Sequence, residues 1–174
     1  MKRAAVITGG SGGIGSAAAY RLAEDGYIPV INYFTNYESA LIIAKETRGI
    51  PYRADISDPE QVKTMMETAA EKCGGIDVLV NNAGLSISGL FTDITPEQEK
   101  RIWEVNVLGT MNCSRYAIPY MLSGKYGKII NISSMWGQIG ASCEVHYSAS
   151  KAAVIGFTKA LAKELGPSGI NVTA

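Results

Sequence analysis

The sequence predicts an α/β domain built on a parallel, doubly wound sheet, and three observations carry that prediction. Short apolar runs alternate with stretches of helical periodicity along all 174 residues. The runs are apolar throughout instead of alternating with polar residues, as in a sheet covered on both faces. A glycine-rich turn, Thr8 to Gly15, comes directly after the first run and opens a helix, which is where such sheets bind dinucleotides.

Taken in order, AAVIT (4–8) reads as a buried strand and 13–24 as the helix after it. IPVINY (28–33) is the second strand, followed by a helix over 37–48. PYRAD (51–55) is the third. Asp58-Pro59-Glu60-Gln61 then starts a helix: an N-cap, a proline in the first turn and a glutamine able to close a capping box. IDVLVNN (76–82) is the fourth strand. Thr95-Pro96-Glu97-Gln98 repeats the start signal before a long helix expected to run unbroken to about Met121. GKIINIS (127–133) is the fifth strand, 144–165 another long helix, and INVTA (170–174) a sixth strand. No linker, low-complexity tract or fixed-period repeat divides the chain, so residues 1–174 are read as one domain.

Bulk properties narrow the function. Lysine plus arginine and aspartate plus glutamate number sixteen each, so no basic field points to nucleic acid or an anionic membrane. No apolar run approaches the ~20 residues of a membrane span. The start, MKRAAVITGG, has two positive charges, but glycine interrupts its apolar stretch too early for a signal peptide. Cys73, Cys113 and Cys143 form no CxxC pair, which fits a reducing cytoplasm better than a disulfide framework. His146 has no second histidine to share a metal and is expected on an exposed helix face, with a place at the mouth of a site as the alternative.

The turn Thr8-Gly9-Gly10-Ser11-Gly12-Gly13-Ile14-Gly15 lets the backbone come close to a ligand, and the helix it opens offers unpaired N–H groups to a pyrophosphate. Such a turn also serves plain strand-to-helix packing; its place in the first βα unit favours a dinucleotide. The end of the second strand tells NAD from NADP. An acid there binds the ribose 2′-hydroxyl and repels a 2′-phosphate. Here it reads Asn32-Tyr33-Phe34-Thr35-Asn36, without an acid but also without a cation. That leans toward NADP, with NAD as the alternative, and places Asn32 and Tyr33 beside the cofactor.

The chemistry concentrates in HYSASKAAVIGF. Tyr147 and Lys151 are four apart, on one face of a helix, and Ser134 lies thirteen positions before the tyrosine. A free phenol titrates near 10, too high for efficient proton transfer at neutral pH, and an ammonium beside it favours the phenolate. A nearby serine hydroxyl can hold a substrate oxygen against the phenol. The set suits proton exchange with an alcohol oxygen. Each part also has a plainer reading. Tyr147 and Lys151 could be a surface pair, Ser134 a turn cap, Asn81-Asn82 turn chemistry, and Asn106 an exposed helix asparagine.

Together these residues resemble the short-chain dehydrogenase/reductase family over essentially the whole chain. The matching motifs are Thr8-Gly9-x3-Gly13-x-Gly15, Asp55, Asn81-Asn82-Ala83-Gly84, Asn106, Ser134 and Tyr147-x3-Lys151. Each is weak alone; their joint occurrence in this order is specific. The resemblance implies a Rossmann-type fold and an NAD(P)-dependent enzyme. Gly9, Ser11, Gly12, Gly13, Ile14 and Gly15 would wrap the cofactor's phosphates and adenosine ribose. Asp55 and Ile56 would flank the adenine, and Asn82, Ala83 and Gly84 would line the cofactor's edge. Tyr147 would be the general acid and Lys151 its modulator and a ribose ligand. Ser134 would hold the carbonyl oxygen, and Asn106 would anchor a water of the proton relay. Within the family, ISSMWGQIGASCEVHYSASKAAVIGFTKALAKELGPSGI resembles bacterial 3-oxoacyl-(acyl-carrier-protein) reductases. The stretch Trp136-Gly137 to Val145 also resembles a subgroup that reduces aminopentanone-modified elongation factor P.

The expected function is reduction of a ketone, with a small-molecule or carrier-bound carbonyl substrate. A sugar or polyol dehydrogenase and a non-catalytic cofactor-binding module are the alternatives. Homodimers or homotetramers are expected through the two long helices, the second presenting Ala149, Ala152, Ala153 and Gly156. Family members usually continue past the sixth strand with a substrate-covering segment and a seventh strand. Against that pattern the domain reads as C-terminally incomplete.

Overall fold

The computed structural model describes residues 3–174. Six parallel strands stand in the order β3-β2-β1-β4-β5-β6. They are β1 Arg3–Ile7, β2 Tyr27–Tyr33, β3 Ile50–Arg53, β4 Val78–Asn81, β5 Gly127–Asn131 and β6 Ile170–Thr173. The helices between them are α1 Gly13–Glu24, α2 Tyr37–Thr47, α3 Pro59–Cys73, α4 Pro96–Trp103, α5 Thr110–Gly124, α6 Trp136–Ile139 and α7 Val145–Leu165. The order reverses between β1 and β4, so the strands' carboxyl ends open a crevice there, where open α/β sheets bind ligands.

Side-chain alternation explains the layering. Val6, Val30, Leu79 and Ile129 point into one core with Met65, Met66 and Ala69 of α3 and Cys113, Ala117 and Met121 of α5. Their neighbours Ala5, Ile7, Ile31, Val78 and Val80 point the other way, against Ala19 of α1 and Ala40, Ile43 and Ala44 of α2. Each strand therefore feeds two cores, which is why its sequence is apolar at successive positions. A fully buried methionine or isoleucine contributes about 1.5–3 kcal/mol of transfer free energy. Met65, Met66, Ile7 and Ile31 are all fully buried.

The helix starts obey their signals. Asp58 accepts from the N–H groups of Glu60 and Gln61 ahead of α3. Thr95 and Gln98 complete a reciprocal capping box ahead of α4. The long helix expected after Thr95 is not unbroken. Residues Glu104–Gly109 form a π-helical segment between α4 and α5. The added residue of a wide turn shifts the phase of the apolar pattern without interrupting it, so the stretch still has the pattern of a helix. The four-residue α6, lodged between β5 and α7, has no signal of its own in the sequence pattern either.

Candidate active site

The glycine-rich turn crosses the crevice between β1 and α1. Gly13 takes φ +53° at the start of α1, a conformation that side chains rarely adopt. Gly15 is needed for space: a Cβ there would stand 2.4 Å from the Gly9 carbonyl oxygen and 2.6 Å from Asn82 Nδ2. The α1 N-terminus has no side-chain cap and no acid in its first turn, so its N–H groups and dipole are free for an anion. Gly12 and Gly13 are exposed, Ser11 is half-buried, and the Ile14 side chain is 63% exposed. The turn fits the pyrophosphate and ribose of a dinucleotide.

Asn82 braces this turn from the next strand. Its Nδ2 donates to the carbonyls of Thr8 and Gly9, both at 3.0 Å. Thr8 Oγ1 accepts in return from the N–H groups of Asn82 and Ala83 at 3.0 Å. Asn82 therefore supports the backbone of the turn, and Ala83 and Gly84 are left beside the crevice.

A cavity of about 370 Å³ continues from Gly9 past Asn32, Phe34, Asp55 and Ile56 to Gly84 and Arg101. Asn32 lines it, but its amide is committed to backbone: Oδ1 accepts from Gly9 N at 3.3 Å and Nδ2 donates to Ala54 O at 3.0 Å. Tyr33 is buried, packs on Tyr37 and borders a neighbouring cavity instead. Asp55 accepts from Ser57 and pairs with Arg101 at 2.7 Å. Partial burial disfavours its charge, but the Ser57 hydrogen bonds and the Arg101 guanidinium outweigh that and hold its carboxyl below the ordinary range. Arg101 is a site residue that the sequence did not reveal, because only the fold brings α4 to β3.

The other half of the crevice is built from buried polar side chains. Lys151 is 4% exposed, and its Nζ donates to the Ile132 carbonyl at 2.7 Å. Burial lowers its pKa from the usual lysine value. The ammonium stands 5.7 Å from the centre of the Tyr147 ring, as the spacing of four requires. Ser133 anchors the same turn of α7 by donating to the Lys151 carbonyl at 2.9 Å. Ser134, just past β5, is half-buried, and its Oγ accepts from Trp136 N at 3.2 Å. It caps α6, and its own hydroxyl proton remains to donate.

Asn106 is buried within the π-helical segment and is fully committed. Its Oδ1 accepts from Leu85 N at 2.7 Å, and its Nδ2 donates to Leu85 O and Ser150 Oγ, both at 2.9 Å. It thus ties the loop after β4 to α7. Asn81, beside Asn82, is buried and donates to Asn131 Oδ1 at 2.8 Å and Ser114 Oγ at 3.2 Å. Asn131 donates in turn to Thr158 Oγ1 at 2.8 Å.

The loop after β4 is held further along by residues the sequence did not single out. Ser86 and Ser88 both donate to the Glu144 carboxylate, and Gly89 N donates to Cys143 O at 2.9 Å. Cys143 has φ +61°, uncommon for a side chain and frequent where a site imposes geometry. His146 corrects the expectation of an exposed helix residue. It is buried, stacked on Phe91 with ring centres 5.1 Å apart and 3.6 Å from Glu99 Oε1. Its partners come from a loop and helix about fifty residues earlier, beyond the reach of local pattern.

A parallel sheet with an open anion-binding turn, and a buried lysine beside a tyrosine at the same crevice, define a dinucleotide-dependent oxidoreductase. Residues 3–174 match the short chain dehydrogenase family, and the chain belongs to it. Among its relatives, a 3-oxoacyl-(acyl-carrier-protein) reductase FabG of Staphylococcus aureus is 37% identical over the whole chain and 73% of its own length. The acetoacetyl-CoA reductase of Paracoccus denitrificans is 40% identical over the whole chain and 72% of its length. A 3-oxoacyl-(acyl-carrier-protein) reductase of Synechocystis sp. is 38% identical over 98% of the chain and 71% of its length.

Proposed function

We propose that the protein reduces a ketone to a secondary alcohol with NADPH, and that the substrate is a 3-oxoacyl thioester of the kind the relatives' names describe. The observation that carries the reading is the buried Lys151 ammonium beside Tyr147, at the crevice where the glycine-rich turn opens. When bound, the nicotinamide supplies the hydride to the carbonyl carbon. Tyr147 gives its phenolic proton to the carbonyl oxygen, and Ser134 donates a hydrogen bond to the same oxygen, so that the forming alkoxide meets fixed donors. Lys151 has two N–H donors beyond the one spent on Ile132; these serve Tyr147 and the nicotinamide ribose. Gly9, Ser11, Gly12, Gly13, Ile14 and Gly15 hold the pyrophosphate and adenosine ribose. Asp55 and Ile56 hold the adenine, with Asn32 and Tyr33 behind it. Ala83 and Gly84 line the edge, and Asn82 and Asn106 hold the walls in place. Fatty acid synthesis in the cytoplasm is the setting this reading implies.

A decrease of NADPH absorbance on adding a 3-oxoacyl thioester, faster than with simple ketones or sugars, is the expected result. A preference for sugars or polyols would transfer the site to that chemistry. No turnover of any carbonyl, with NADPH still bound, would make the chain a cofactor-binding module. Self-association belongs to the same proposal. Val145, Ala149, Ala152 and Gly156 are exposed along α7, and Leu108 is half exposed on the π-helical segment. Light scattering is expected to show a dimer or tetramer.

A further inference from the structure

We propose that Arg53 forms the binding site for the 2′-phosphate of NADP(H), reaching from β3 to a place that β2 leaves without a cation. The inference rests on the NADP reading above. The end of β2, Asn32 to Asn36, carries no charged residue. In the parallel register of β2 and β3, Arg53 is the partner of Tyr33, so it emerges one strand spacing away from the exit of β2. Its Nε donates to the Phe34 carbonyl at 3.3 Å, which folds the guanidinium across that exit.

One N–H is used in this way, and the guanidinium keeps its four remaining donors. No carboxylate lies within ion-pair distance of Arg53 among the described residues. Arg53 borders a cavity of about 460 Å³ together with Tyr33, Phe34, Thr35 and Tyr37, and is the one charged residue of that lining. This cavity shares Phe34 and Thr35 with the crevice cavity that Asp55 and Ile56 line. An adenosine seated in the crevice would carry a 2′-substituent toward the shared wall and the free guanidinium behind it.

The other nearby cation fits this role poorly. Arg101 borders the adenine cavity, but its guanidinium already binds Asp55 and Ser57, both at 2.7 Å, so its charge is compensated. A phosphate brought to Arg101 would also meet the Asp55 carboxylate. Among the described residues Arg53 pairs with no carboxylate; Glu60 borders a different cavity with it and is absent from this lining, and guanidinium presents paired donors that match phosphate oxygens. The start of α2 adds to the same polarity. The Asn36 side chain makes no capping bond, so the positive end of the helix dipole faces the cavity's Tyr37 side. Glu38 in that first turn opposes it from outside the lining.

The test is equilibrium binding, independent of turnover. NADPH, NADH, adenosine 2′,5′-bisphosphate and adenosine 5′-monophosphate are titrated by calorimetry against the wild-type protein, Arg53→Gln, Arg53→Lys and Arg101→Gln. Wild type is expected to bind NADPH at least about tenfold more tightly than NADH, the scale of a charge-assisted contact. Arg53→Gln should lose most of that ratio by weakening NADPH and the bisphosphate, with NADH and the monophosphate changed less than about twofold. Arg53→Lys should retain part of the ratio, and Arg101→Gln should weaken both members of each pair alike. An unchanged ratio in Arg53→Gln, or its loss in Arg101→Gln instead, overturns the Arg53 assignment and leaves the NADP reading standing. A wild type without preference for NADPH overturns the NADP reading, and this proposal with it.

Discussion

The two halves of the crevice are built from different materials. Around β1 and α1 the site is backbone: a turn whose N–H groups face outward and whose shape depends on the missing side chain of Gly15. Around β4, β5 and α7 it is side chain: Asn81, Asn106, Asn131, Ser150, Thr158 and Lys151 are all buried and hydrogen-bonded. A backbone site is sensitive to added atoms, because there is nowhere to put them. A side-chain network is sensitive to removed atoms, because each deletion leaves a buried partner unpaired. Asn82 joins the halves, being a side chain whose work is to hold the turn.

The contrast predicts opposite responses to substitution. Tyr147→Phe removes a proton and little else; turnover should fall at least ~10²-fold with NADPH binding retained, and near-wild-type turnover would remove Tyr147 from its role. Gly15→Ala adds one methyl. It should lower NADPH affinity at least about tenfold and cost about 1–3 kcal/mol of stability, whereas Gly12→Ala, with open space around the position, should be mild. Similar effects for the two would show that crowding does not govern the turn.

Asn131→Ala deletes the middle of the buried chain between Asn81 and Thr158. About 1–3 kcal/mol should be lost in denaturant unfolding, with NADPH affinity little changed. Lys151→Met separates function from stability within one residue. Its buried ammonium opposes folding through desolvation, but removing it leaves the Ile132 carbonyl unpaired, so the melting temperature should change little while turnover and cofactor affinity both fall. A drop in melting temperature without loss of activity would make Lys151 a structural residue.

The smallest effect concerns acid. Asp55 has a lowered folded-state pKa, so its pairing with Arg101 stabilises the protein above the ordinary carboxylate range and is lost as pH falls below about 4. The pair is partly exposed, so the contribution should be under about 1 kcal/mol. Wild type should lose slightly more stability than Asp55→Asn between pH 7 and pH 3, and equal losses would show that the pair contributes nothing.

Legibility in the sequence depends on the distance between interacting residues. The turn from Thr8 to Gly15 and the Tyr147–Lys151 pair are readable because a few consecutive residues determine their geometry. The capped starts of α3 and α4 are readable for the same reason. Asn82's grip on Thr8 and Gly9 spans more than seventy residues, the Arg101–Asp55 pair spans 46, and the Ser86–Glu144 contact spans 58. No local pattern announces such contacts. His146 is buried against local expectation because its neighbours in sequence say nothing of Phe91 and Glu99.

The π-helical segment at Glu104–Gly109 has a mechanical consequence. Along an α-helix each residue turns the side-chain direction by about 100°, so a wide turn of one added residue shifts the angular phase of α5 relative to α4. Arg101, on the α4 side, faces Asp55; Ser114, on the α5 side, faces the buried Asn81. The wide turn acts as a vernier that lets one continuous rod mesh with two parts of the crevice set at different angles. Deleting a single residue within 104–109 would restore a regular helix with better backbone hydrogen bonding. It would also rotate one end out of mesh with the other, giving a straighter rod and a dismantled site.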